Sequence, residues 1–304
     1  MKGSLRRVSL RAGALAVLLA LAYLAIGYVV AAQLTAPDTV APERTPAEVG
    51  LDFREVDLRS TDGVDLAGWW VPEEDSSRAV VLVHGWGGDK SNDPVVETAP
   101  VYAGAEYNVL MLDLRGHGVS ESDRRTLGYR EVRDVRGALS WLGERGFGAK
   151  DVTLHGFSMG AATVVRSAPG SGVAAVVADS GYADLPLLLR EELPETSGLP
   201  GIFNPGIFLA AYLFLDFDVW DVRPEEEASR LSGEGVPLFV IHSRDDEVVP
   251  FENSGMFLGA YPGAVLWELE DAGHIGAYKE PDYEERLLEF LEATERRDAA
   301  QTAS

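Results

Sequence analysis

The chain contains no cysteine. That excludes disulfide staples, thiol nucleophiles and thiolate metal sites, and a domain of this size builds enough core to need no staple. Lysine is nearly as scarce: Lys2, Lys90, Lys150 and Lys279 are the only four in 304 residues, and all bases together number 26 against 49 acids, a formal net charge of −23. Without Lys2, Arg6, Arg7 and Arg11 the remainder holds 22 bases against 49 acids, or −27. Such a surface repels nucleic acid and anionic headgroups, so no nucleic-acid partner is expected. The acids show no metal-ligand spacing, and no dinucleotide fingerprint follows a strand, so neither a metal nor a cofactor is expected. Internal repeats and long low-complexity tracts are missing too, and nothing signals an oligomeric state.

Charge is also absent from one long stretch. Ala12 to Ala32 is 21 residues of mostly Ala, Leu, Val and Ile without a charge. As a helix it is ~30 Å long, enough to span a bilayer. Four basic residues precede it, and no acid occurs before Asp38. The positive-inside rule keeps residues 1–11 in the cytoplasm and sends the chain beyond the apolar stretch outside. The reading is a single-pass cell-membrane anchor with an extracytoplasmic domain. Its rival is a cleaved signal peptide and a secreted product; the apolar core of a signal is usually ~7–15 residues, although Val30 and Ala32 would suit a cleavage site. Residues 33–50 hold several prolines and read as a linker. Residues 51–297 then suit one α/β domain, followed by a tail at 298–304.

The densest signal is Gly156-Phe157-Ser158-Met159-Gly160, a G-x-S-x-G sequence. Asp151 to His155 before it reads as a buried strand and Ala161 to Ser167 after it as a helix, the context in which this turn exposes a nucleophilic serine. Glycines on either side of Ser158 let strand and helix approach. A serine hydroxyl is a weak nucleophile alone and needs a base.

Other motifs supply partners in the order acid, then histidine. An apolar run from Val236 to Ile241 leads into His242-Ser243-Arg244-Asp245-Asp246, closed by Val248-Val249-Pro250. Asp246 opens a D-x-x-V-P pattern and is the first choice for an orienting carboxylate; Asp245 is the second. A later run, Ala264 to Glu270, ends in Asp271-Ala272-Gly273-His274, which puts His274 on a late loop. In this assignment His274 takes the Ser158 proton and returns it to the leaving group, while Asp246 fixes the imidazole. The developing oxyanion needs N–H donors. One is the Met159 amide, directly after the nucleophile. The other is assigned to the Trp86 amide, with Gly87 as alternative, in the His84-Gly85-Trp86-Gly87-Gly88 loop after the strand at 79–83. Asp113 and Arg115, on the loop after a strand at 107–112, read as a structural pair.

The coarse order is consistent with these placements. Residues 52–60 and 64–71 alternate around Thr61-Asp62-Gly63 like a hairpin. Strands follow at 79–84, 107–112, 173–178 and in the two late runs, and a helix at 129–145 carries Val132, Val135, Leu139 and Leu142 on one face. Strands alternating with helices predict a mostly parallel sheet flanked by helices. The long connection at 184–231 reads as a small helical cap with an apolar, acyl-binding face; ordinary packing onto the core is the competing reading.

Together the glycine loop, Asp113 to Ser120, the elbow, Asp246 to Pro250 and Asp271 to His274 resemble the α/β-hydrolases, most closely the serine-aminopeptidase-like group with its membrane-anchored lysophospholipase and esterase-like members. The resemblance runs from about residue 50 onward. Ser243 departs from it, since many members carry glycine there. It implies an α/β-hydrolase fold and a serine hydrolase acting on a small-molecule ester or acyl substrate through an acyl-enzyme. Two alternatives stand beside that: a peptidase releasing N-terminal residues, with Glu191, Glu192 or the Asp184 region reading the substrate amine, and a catalytically silent binding protein on the same fold.

Overall fold

The structure, a computed structural model, describes residues 2–302. The side chains of Lys2, Arg6 and the expected tail at 298–304 lie outside the described residues. Eight short segments rich in Val, Leu and Ile pair into one sheet: β1 (Arg54–Arg59), β2 (Asp65–Val71), β3 (Ala79–Val83), β4 (Asn108–Leu112), β5 (Val152–Phe157), β6 (Ala175–Asp179), β7 (Leu238–Ser243) and β8 (Val265–Leu269). Their spatial order is β1-β2-β4-β3-β5-β6-β7-β8. The β1–β2 hairpin predicted from alternation is antiparallel, and β2 pairs antiparallel with β4. Every pair from β4 to β8 is parallel. Parallel strands need crossovers, and those crossovers cover both faces of the sheet. This explains why β3 to β7 are buried along their whole length.

The helices are α1 (Lys2–Leu34), α2 (Asp93–Gly104), α3 (Val132–Gly143), α4 (Met159–Ser167), α5 (Leu185–Ser197), α6 (Asn204–Leu215), α7 (Pro224–Glu234), α8 (Glu252–Ala260) and α9 (Tyr283–Thr302). Val80 and Leu82 of β3, Met111 of β4 and Ile241 of β7 share one core with Val96 and Tyr102 of α2 and with Leu287 and Phe290 of α9. Elsewhere on the sheet α4 packs against β5 and β6 and α3 against β1, while α7 packs on α4 and α8. Burying one such aliphatic side chain contributes ~1.5–3 kcal/mol, so the central strands are held rigidly.

Two compact units emerge. One comprises the residues up to Ala36 together with Pro186–Asp221; the other comprises Pro37–Leu185 and Val222–Ser304. The division falls inside the expected cap at 184–231, because α7 packs with α4 and α8 of the second unit rather than with α5 and α6. The insertion leaves and rejoins the second unit at one place, where the Leu185 N–H donates to the Val222 carbonyl at 3.0 Å. Within the first unit α1 packs against α6. From Ser9 to Leu34, α1 is long and apolar enough to cross a membrane.

One expectation needs correction, and the segment expected as a linker makes defined contacts beyond Pro37. Asp38 donates its N–H to the Gly116 carbonyl at 2.8 Å, and the Arg44 guanidinium reaches Asp93 at 2.6 Å and Glu97 at 2.7 Å on α2. The expectation to correct is the structural pair: Asp113 and Arg115 do not pair with each other. Asp113 takes the buried Lys90 ammonium, and the buried Arg115 guanidinium bonds to Asp134 at 2.7 Å and Asp62 at 2.6 Å. Both residues lie beyond the end of β4 at Leu112, where strand alternation no longer sets side-chain direction, and each serves a separate ion pair.

Candidate active site

Ser158 stands between the last residue of β5 and the first of α4, with φ 54° and ψ −117°. A side chain in that region is strained. The turn is enforced from both sides: a Cβ on Gly156 would collide with the Gly160 carbonyl, and one on Gly160 with the carbonyl of Val83. The Ser158 N–H donates to the Asp179 carbonyl at 2.8 Å, which ties the turn to β6.

Three predicted residues meet here. Ser158 Oγ lies 2.9 Å from His274 Nε2, and His274 Nδ1 lies 2.8 Å from Asp246 Oδ2. A carboxylate only accepts, so Nδ1 carries a proton and Nε2 is left as acceptor for the serine hydroxyl. Asp246 also accepts the N–H groups of Val248 at 2.9 Å and Val249 at 2.8 Å. Burial pushes its carboxyl up, but hydrogen bonds from His242 and His274 outweigh that and hold it well below the usual carboxylate range. It is therefore ionised where it faces the imidazole.

Asp245, the second choice, does not face the ring. Its Oδ1 accepts the Gly273 N–H at 2.8 Å and the Ser243 hydroxyl at 2.6 Å. Ser243 Oγ in turn accepts the Ala272 N–H at 2.9 Å. The serine that departs from the family pattern thus clasps the His274 loop. From the other side the Ser180 hydroxyl accepts the Ile275 N–H at 3.0 Å and donates to Asp179 at 2.9 Å.

The glycine loop adjoins the serine: a Cβ on Gly85 would stand 3.2 Å from Ser158 Cβ. Met159 opens α4, and the first amides of a helix have no acceptor inside it. Among the described residues the Trp86 N–H likewise has no acceptor. The loop is braced from beneath. Asp113 accepts the Lys90 N–H at 2.8 Å and the Val119 N–H at 2.9 Å, while His84 Nε2 accepts the Leu114 N–H at 3.1 Å. The Trp86 ring is 45% exposed and lies under the Arg125 guanidinium, 4.9 Å from its centroid. A cleft of about 520 Å³ opens beside His274, lined among others by Glu43, Arg44, Gly87, Asp89 and Lys279.

Sequence reasoning missed four contributors. His242, to which the sequence assigned no role, lies 3.3 Å from Asp246 and donates through Nε2 to the Val249 carbonyl at 2.8 Å. The i,i+4 spacing of His242 and Asp246 was the available signal. Asp179 is fully buried at the end of β6, and burial pushes its carboxyl up to about 7. Glu43 and Arg44 came from what looked like linker. His155, at the end of the predicted strand, bonds the Tyr102 hydroxyl at 3.0 Å. Asp184 lies 3.7 Å from the Arg223 guanidinium, and Glu191 and Glu192 belong to the other unit. Among the described residues, no cluster of three or more His, Asp or Glu is arranged to hold a metal ion.

Comparison with known proteins agrees with this fold. A sequence profile of the alpha/beta hydrolase family matches residues 80–285. The chain is 24% identical over 251 residues to the uncharacterized protein YfhR of Escherichia coli, covering 78% of this chain and 79% of that one. It is 28% identical over 196 residues to the lysophosphatidylserine lipase ABHD12 of Danio rerio, covering 61% of this chain and 48% of that one. Among solved structures, the Pyrococcus furiosus esterase Pf2001 superposes with a TM-score of 0.69 at 25% identity, covering 84% of this chain and 98% of that one. With its profile match running from β3 into α9 and its parallel sheet carrying a strained serine at the end of β5, the chain is an enzyme of the alpha/beta hydrolase family.

Proposed function

We propose that the protein is a membrane-anchored serine hydrolase that cleaves carboxylic esters through an acyl-enzyme, with Ser158, His274 and Asp246 as its triad. His274 Nε2 takes the Oγ proton as Oγ bonds to the ester carbonyl carbon, and the carbonyl π pair moves onto oxygen. The Met159 and Trp86 amides stabilise that oxyanion. When it collapses, the bond to the leaving alcohol oxygen breaks and His274 protonates it. Water then repeats the sequence on the acyl-serine and releases the acid. Asp246 keeps the proton on Nδ1 and stabilises the imidazolium. The 2.9 Å approach of Ser158 Oγ to a histidine whose other nitrogen is held by an ionised carboxylate carries the reading.

Neighbours described as an esterase and a lysophosphatidylserine lipase favour esters over peptides. Asp184, one of the acids a substrate amine would need, already has a guanidinium beside it. The anchor is α1, with the basic end inside and the hydrolase domain outside the cytoplasm.

A fluorophosphonate probe followed by peptide mapping tests the mechanism. A single adduct on Ser158, absent in His274→Ala, is expected, together with p-nitrophenyl ester hydrolysis that Ser158→Ala abolishes without unfolding. A folded protein that forms no adduct and cleaves no ester would move the binding-protein reading ahead.

A further inference from the structure

α6 is apolar on every side. From Thr196 to Leu215 the chain holds no charged residue. One face of α6 is buried through Ile207, Ala210 and Ala211, while Leu209, Tyr212, Leu213 and Phe214 are left open, Leu213 at 53%. A helix that is hydrophobic all round belongs in a core or in a bilayer. A cluster of large apolar side chains facing water is a surface that something covers.

The position of α6 on α1 says what covers it. Gly27 and Gly206 meet so closely that a Cβ on Gly27 would collide with the Gly206 carbonyl, and one on Gly206 with the Tyr23 ring. Tyr23 stacks on Phe203 at 5.5 Å, and Tyr28 meets Phe214 edge-on at 5.9 Å. Gly27 lies inside the uncharged Ala12–Ala32 run, about 7 Å from its C-terminal end. A helix packed at that level of a spanning helix has the same surroundings as the span, namely acyl chains. The glycine crossing suits this environment, where close backbone approach drives helix pairing.

The polar groups of the α6 N-terminus are provided for as well. Hydrocarbon offers no water to the first amides of a helix, so each needs a partner within the protein. Pro205 has no N–H to satisfy. The Gly206 N–H donates to the Tyr23 hydroxyl at 3.1 Å, and that hydroxyl donates to the Ile202 carbonyl at 2.6 Å. An α1 side chain thus caps α6.

We propose that α6 is a second membrane-inserted element, seated beside α1 in the extracytoplasmic half of the bilayer, with its Leu209–Phe214 face against lipid acyl chains. The proposal rests on the anchor reading and adds to it a shallow helix that does not cross.

The cysteine-free chain makes the test direct. Full-length Leu213→Cys, Leu18→Cys and Val265→Cys, each labelled with bimane, are reconstituted into phosphatidylcholine–phosphatidylglycerol vesicles with and without acyl-brominated lipid. Leu18 lies on α1, and Val265 is an exposed position of β8 in the other unit. Bromolipid is expected to quench Leu213 and Leu18 and to leave Val265 bright, with bromines near the headgroup quenching Leu213 more than bromines near the chain end. Quenching at Leu18 alone would overturn the proposal and leave the anchor standing. Absence of quenching at both would overturn the two together. Leu213 shielded from a soluble maleimide yet unquenched would mean that protein, not lipid, covers the face, which also overturns it. Tyr212→Cys gives the same readout should Leu213→Cys misfold.

Discussion

Asp245 and Asp246 are neighbours in sequence but hold different parts of one loop. Asp246 bonds the His274 ring at 2.8 Å, while Asp245 bonds the Gly273 amide at 2.8 Å just before it. One sets the imidazole tautomer and the other sets where the loop lies. Their replacements should therefore differ in kind. Asp246→Asn is expected to lower kcat by about 10⁴-fold with the fold intact, because the amide favours the wrong tautomer. Asp245→Ala displaces the loop and should cost about 10²-fold. Steady-state ester hydrolysis by the two variants measures this, and equal losses would contradict the division.

The Ser158 backbone stores strain. Non-glycine residues at such angles cost about 1–3 kcal/mol, and glycine accepts them freely. Ser158→Gly is expected to abolish turnover while raising stability by about 1 kcal/mol after glycine's own entropic cost. Urea unfolding of the variant beside Ser158→Ala, which keeps the strain, isolates the effect.

Asp179 gives stability a pH dependence of defined sign. Its carboxyl is pushed by burial from the ordinary 3.8 up to about 7, and its Oδ2 has no partner among the described residues. Between those values the unfolded chain has lost the proton and the folded chain keeps it, so stability falls as pH rises through the window and levels off above it. Asp179→Asn keeps the Ser180 hydrogen bond and removes the titration. Its unfolding free energy should gain on the unchanged protein by up to about 1.4 kcal/mol per pH unit across the window. A difference that stays flat with pH would show that Asp179 is ionised throughout.

Asp246 acts with the opposite sign. Held below its ordinary 3.8, it stabilises the fold above that pH, and the contribution is lost as pH falls toward its lowered value. Acid unfolding followed by circular dichroism should begin at higher pH in the unchanged protein than in Asp246→Asn once the two are compared at equal starting stability, because the variant has no such carboxylate to protonate.

The buried Arg115–Asp134 pair supports the loop after β4. Arg115→Met would leave Asp134 buried and unpaired at the cost of about 3–5 kcal/mol, whereas Arg115→Met with Asp134→Leu should recover most of it. Thermal unfolding of the single and double variants checks this.

Much of this was legible in the sequence because it depends on local pattern. The β1–β2 hairpin followed from alternation around Thr61-Asp62-Gly63, and the elbow, Asp246 and His274 followed from strand ends. The predicted helix at 129–145 is shorter, since Val132–Gly143 alone is α-helical and Glu131 uses its carboxylate to accept the Thr126 and Gly128 amides. What escaped depends on contacts between distant segments. No spacing rule sends Asp113 to Lys90 instead of Arg115, places Arg44 beside the cleft, or brings Gly27 against Gly206. Ser243 looked like a weakness because only the folded chain shows Ala272 within its reach.

The hydrogen bond between Leu185 and Val222, where the insertion departs and returns, has a consequence for how such an enzyme diversifies. A chain that departs and returns at one point can exchange everything between for another segment of different length or polarity while β6 and β7 keep their register, since lengthening a loop adds only slowly to its closure entropy. The insertion is in this sense a cassette. Its replacement would change what packs against α1 without altering the serine, the histidine or the carboxylates that position it.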